Sequence, residues 1–101
     1  TRAFLVTTWV LAEFADGAAT SAARRLVRPF IQQLRADSRT TVIEADQSTF
    51  DRGLALYAQR PDKPWSLTDC ISFIVMQDHG LTDALTGDHH FEQAGFNAIL
   101  K

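Results

Sequence analysis

The chain has 101 residues, 46% of them hydrophobic and 22% charged, with a formal net charge of −2. That is the composition of one small globular domain with a single core, which buries roughly 60 to 70% of its unfolded surface. It is an ordinary soluble globular composition. No apolar run approaches the ~18 residues of a membrane span, so no membrane role is expected. A single cysteine, Cys70, excludes an internal disulfide framework and fits a reducing cytoplasm.

In chain order, residues 4–7 form a short apolar strand. Thr8 is an N-cap for a helix running through Trp9, Val10, Leu11, Ala12, Glu13 and Phe14, which Gly17 closes. Glu13 lies about one turn inside that helix, on the side of Trp9 and Val10, which reads as a buried face. A buried carboxylate needs a cation or a hydrogen-bond network; the alternative is that Glu13 reaches solvent.

Residues 21–34 have helical spacing in Leu26, Phe30 and Leu34, and Pro29 must kink that helix or divide it in two. The segment 24–39 carries five arginines against Asp37. It is either a solvated face or a guide for a polyanion. Thr41, Val42 and Ile43 read as the next strand. Asp46, Ser48 or Thr49 then opens a helix with Phe50, Leu54 and Tyr57 on one face.

Arg60-Pro61-Asp62-Lys63-Pro64 is a loop. Ser66 with Asp69 three residues later reads as an N-cap and its reciprocal partner. The near-unbroken apolar run 70–76 makes a helix buried on most sides, which Gly80 ends. Ala84, Leu85 and Thr86 form a short strand, and Gly87-Asp88 is the turn that leaves its carboxyl end. A short helix finishing at 93–95 and an edge strand near Phe96, Ile99 and Leu100 complete the chain. The order β-α-α-β-α-α-β-α-β favours parallel strands with helices on both faces.

Glu13, Asp69 and Asp88 each follow a strand or open a helix, so a parallel sheet turns all three towards its carboxyl-end crevice. Hard oxygen donors without cysteine or well-spaced histidine suit Mg²⁺ or Mn²⁺. Such a site is suited to hydrolysing a phosphodiester. Thr8, Ser66, Thr68 and Thr86 are hydroxyls placed to orient ligands or water, or to serve as caps. Arg24, Arg28, Arg60 and Lys63 are cations along a possible RNA path. His89 and His90 are adjacent and therefore diverge, unlike a pair of metal ligands one helical turn apart; one of them can contact RNA or donate a proton. Trp9, Trp65 and Tyr57 have apolar neighbours and read as core, with base stacking as the alternative.

The blocks T-T-W-V-L-A-E-F, S-L-T-D-C-I-S-F and A-L-T-G-D-H-H-F-E-Q-A-G-F resemble PIN-domain ribonucleases, in particular the bacterial toxin-like, VapC-type branch. The resemblance implies a three-layer α/β/α PIN-like fold with a mostly parallel sheet. It also implies a metal-dependent site for cleaving RNA, with metal binding carried onto Glu13, Asp69 and Asp88. The family's first acid, on an N-terminal strand, has no match here. The expectation is a PIN-like domain over 1–101, truncated at its N-terminus and lacking a central strand, with weakened metal affinity.

By the same resemblance the expected function is a Mg²⁺- or Mn²⁺-dependent endoribonuclease acting on single-stranded RNA or a structured RNA loop. It would be a cytoplasmic toxin with an antitoxin partner and a capacity to homodimerise. The alternatives are a housekeeping RNA-processing nuclease and a catalytically degenerate PIN-like module that binds RNA or protein.

Overall fold

The computed structural model describes residues 4–84 and 89–98. Its elements follow the expected order: β1 (Phe4–Thr7), α1 (Thr8–Gly17), α2 (Arg24–Ala36), β2 (Thr40–Ile43), α3 (Gln47–Gln59), α4 (Leu67–Asp78), β3 (Asp83–Ala84), α5 (His89–Gln93) and β4 (Asn97–Ala98). The chain divides into two compact units, Thr1–Ala45 and Asp46–Lys101.

In the first unit β1 and β2 pair in parallel, Phe4 opposite Thr40 and Thr7 opposite Ile43. Parallel neighbours need a long crossover, and α1 and α2 supply it. The cap of α1 is Thr7, not Thr8: the Thr7 hydroxyl accepts the Val10 N–H at 3.2 Å while Thr7 keeps an extended backbone. Thr8 is the first helical residue instead, because Thr7 ends the strand and can still reach three residues forward.

Pro29 does not divide α2, which runs unbroken from Arg24 to Ala36. The residue deprived of a partner is Arg25, whose carbonyl has no N–H to accept from Pro29. Arg25 and Pro29 are both exposed, so water can serve that carbonyl. No residue of α2 is buried; Leu26 is 61% exposed and Phe30 44%. Phe14 of α1 and Phe30 meet with ring centroids 5.5 Å apart.

The second unit is organised on α4. Ser66 and Asp69 form the expected capping box, Ser66 Oγ accepting the Asp69 N–H at 3.0 Å and Asp69 Oδ2 accepting the Ser66 N–H at 3.1 Å. The cap is worth about 1 kcal/mol. Every residue in 70–76 is buried. Phe73, 1% exposed, is the hub: Trp65 and Phe91 meet it edge-on at 5.1 and 4.9 Å, and Phe96 packs tilted at 5.6 Å. The helix ends as expected at Gly80, whose φ of +64° lies in the left-handed region.

Helix α3 is capped by Asp46, whose carboxylate accepts the Thr49 N–H at 2.7 Å. Phe50, Leu54 and Tyr57 do share a face, and all three remain exposed. The face packed on α4 belongs to buried Gly53, where a Cβ would come within 2.5 Å of Ile71 Cγ1. The absence of a side chain at residue 53 lets the two helices approach this closely.

Strand β3 covers Asp83 and Ala84 and pairs in parallel with β4, Asp83 opposite Asn97 and Ala84 opposite Ala98. The expected strand residues Leu85 and Thr86, and Ile99 and Leu100 at the far end, lie outside the described residues. The described residues give two parallel strand pairs, one in each unit.

Candidate metal centre

Asp69 sits where the most deeply buried helix of the second unit begins. Its carboxylate is the third residue of the capping box, near the positive end of the α4 dipole, and its side chain is only 15% exposed. Oδ2 takes the Ser66 N–H and lies 3.0 Å from His90 Nδ1. An ionised carboxylate only accepts, so the imidazole must present Nδ1–H to it. Among the described residues no donor meets Oδ1.

His90 reaches Asp69 because α5 is anchored beside it. Phe91 inserts edge-on against Phe73. The Phe96 N–H closes back on the Phe91 carbonyl at 2.9 Å, and Gly95 makes the turn with φ of +96°. Trp65, 6% exposed, fixes the other flank by donating its indole N–H to Gln93 Oε1 at 3.0 Å. The His90 side chain is therefore 21% exposed and held next to a core aromatic.

Glu13 belongs to the first unit and is exposed. The expectation of a buried face around it is corrected: Leu11 is the buried residue of α1, and two residues further on the helix has turned by about 200°. Asp88 and Thr86 lie outside the described residues. Among the hydroxyls, Ser66 is the cap, Thr68 is half-buried in the first turn of α4, and Thr8 Oγ1 is buried without a hydrogen-bond partner among the described residues.

The cations differ in how they are engaged. Arg24 and Arg28 are exposed along an open groove of about 530 Å³ in the first unit, with the Arg24 guanidinium donating to the Ala19 carbonyl at 2.9 Å. Arg60 is committed differently: it grips both oxygens of Asp62 at 2.9 Å and lies 5.3 Å over the Trp65 ring. That guanidinium holds the Asp62 carboxyl down at about 2. Lys63 is half-buried in the same loop. Burial, with the Asp69 charge beside it, pushes the Cys70 thiol up, so Cys70 is a packed hydrophobe and a poor nucleophile.

The donor chemistry at the α4 cap fits a hard divalent cation: Asp69 offers an anionic oxygen already oriented through its neighbour. Among the described residues no group of three His, Cys, Asp or Glu side chains gathers closely enough to hold a metal by itself.

No family model matches the chain, and no curated protein sequence matches it. Among solved structures it is similar to VapC20 of Mycobacterium tuberculosis, a sarcin-ricin loop cleaving toxin. The TM-score is 0.86 at 19% identity, over 98% of this chain and 75% of that one. The chain has a VapC-like PIN fold. At that identity the fold is what the two share. Within the PIN fold of this chain, the sequence blocks singled out above fall on α1, on α4 and on the segment from β3 to α5.

The pairing of His90 with Asp69 is the feature that sequence reasoning missed. The two are 21 positions apart and on different helices, so no helical or strand period connects them. The local clue was weak: Phe91 next to His90 is the only aromatic of α5 and had to face a core.

Proposed function

We propose that this protein is a metal-dependent endoribonuclease of the toxin class, hydrolysing a phosphodiester bond in a single-stranded or looped segment of RNA. The observation that carries the reading is the likeness to VapC20 over almost the whole chain. Asp69, in the α4 capping box with one oxygen unengaged among the described residues, supports it. Glu13, Asp69 and Asp88 would hold Mg²⁺ or Mn²⁺. When bound, the ion supplies Lewis acidity to the phosphate oxygen and a lowered pKa to a water.

The chain's own contribution is to fix the Asp69 carboxylate and to offer the phosphate backbone the exposed charges of Arg24 and Arg28, with Lys63 nearer the α4 cap in sequence. Partners in this reading are RNA, an antitoxin protein and a second copy of the chain, and the setting is the cytoplasm. No described helix is long and apolar enough to cross a membrane.

The test is cleavage of a labelled RNA panel, including loop-containing substrates, with Mn²⁺ and with EDTA. Asp69→Asn is run alongside, its fold checked by circular dichroism. Cleavage that requires the metal and is lost in Asp69→Asn supports the reading; cleavage that survives both EDTA and the substitution overturns it. A second reading, a PIN-like module that binds RNA or protein without turnover, is favoured by the exposure of Glu13. It predicts RNA retention without cleavage at saturating Mn²⁺. A housekeeping role in RNA processing is distinguished by expression that leaves growth unaffected.

A further inference from the structure

We infer that His90 is a positioning residue for the metal-binding carboxylate: its Nδ1–H and the Ser66 N–H together hold Asp69 Oδ2 and turn Oδ1 outward to meet a divalent cation. The inference rests on the reading of Asp69 as a metal ligand and adds the orientation that makes it a good one.

Three observations carry it. Both donors fall on the same oxygen, His90 Nδ1 at 3.0 Å and the Ser66 N–H at 3.1 Å, so rotation of the carboxylate would break two bonds at once. Terminal torsions of this kind are otherwise broad. The pair is also sheltered, with side chains 21% and 15% exposed, where water competes poorly for the carboxylate. Finally, the donor cannot drift, because Phe91 next to it is packed edge-on against Phe73 at 4.9 Å. A histidine that instead blocked the metal would engage Oδ1, whereas His90 engages Oδ2. Partners that hold a metal ligand in place are worth roughly 10- to 100-fold in metal affinity.

The experiment measures Mn²⁺ binding to the RNA-free protein by electron paramagnetic resonance, for wild type, Asp69→Asn, His90→Ala, His90→Asn and His90→Gln. An asparagine amide nitrogen occupies the place of Nδ1, whereas glutamine carries its amide out to the place of Nε2. Expected are a loss of about tenfold or more in His90→Ala, affinity close to wild type in His90→Asn, and a loss in His90→Gln. If His90→Ala does not fold, the Asn and Gln variants decide: equal affinities overturn the inference. Wild-type affinity in a folded His90→Ala, with binding lost in Asp69→Asn, overturns the positioning role and leaves the metal reading standing. Identical binding in wild type and Asp69→Asn removes the ligand role of Asp69, and both fall.

Discussion

Gly53→Ala is the substitution that most directly probes how α3 meets α4. The added methyl would lie 2.5 Å from Ile71 Cγ1, 3.1 Å from its Cα and 3.2 Å from its backbone nitrogen, against an optimum near ~3.5 to 4.0 Å between carbons. Ile71 is 1% exposed. The backbone contacts mean that rotating its side chain relieves only part of the overlap. Overpacking of this kind costs about 1 to 3 kcal/mol, and the better helix propensity of alanine returns about 0.8 to 1. The expected net loss is about 1 kcal/mol, with about 2 as the upper end, or a fall in Tm of about 4 to 8 °C per kcal/mol. Urea and thermal unfolding measure it. Gly17→Ala, where nothing lies within 4 Å, should be neutral or stabilising. Ile71→Ala should shrink the Gly53→Ala penalty in a double-mutant cycle. A Gly53→Ala protein as stable as wild type, with no coupling to Ile71, would refute the close crossing.

Phe73→Ala removes the ring that three other aromatics touch and should cost about 3 to 5 kcal/mol in urea unfolding. Ser66→Ala removes the hydroxyl that accepts the Asp69 N–H and should cost about 1 kcal/mol; because the Ser66 backbone N–H that holds Asp69 Oδ2 stays, Mn²⁺ affinity should change little. Arg52 holds both oxygens of Asp78, at 2.6 and 2.9 Å, and pulls that carboxyl below its ordinary value of 3.8. A depressed folded pKa stabilises above the unfolded value and ceases to do so as the pH falls through the folded one. Asp78→Asn should therefore lower the urea midpoint at neutral pH, and the gap to wild type should close on acidification below pH 3.8.

The parts legible in the sequence are those decided by near neighbours. The run 70–76 had to be buried because seven consecutive residues without a charge leave no solvent face. Ser66 and Asp69 announced their box by a three-residue spacing. The full order of elements followed from alternating strand-like and helix-like stretches. Prediction failed where a distant partner or the solvent decided the outcome. Of the two outcomes expected at Pro29, a kink or a division, the division does not occur, because an exposed helix tolerates one carbonyl turned to water. Phe50, Leu54 and Tyr57 share a helix face as expected, but a periodic stripe does not say how deeply it is covered: all three stay exposed, and Gly53, one turn from both Phe50 and Tyr57, made the closer approach. Glu13 looked buried from its apolar neighbours, whereas the helix turned it away from Leu11. Of the candidate site, Asp69 was found through its cap, and its histidine was not, since only the packing of Phe91 brings α5 there.

The chain has two tryptophans, Trp9 in the first compact unit and Trp65 in the second. Their surroundings differ: Trp9 is half-buried, whereas Trp65 is wedged edge-on against Phe73 with the Arg60 guanidinium above it. The indoles are thus two built-in fluorophores with distinct emission, each confined to one unit. With Trp9→Phe, the remaining light reports on the aromatic cluster that fastens α5 to α4, so loosening of the shelf that carries His90 can be watched by its colour alone.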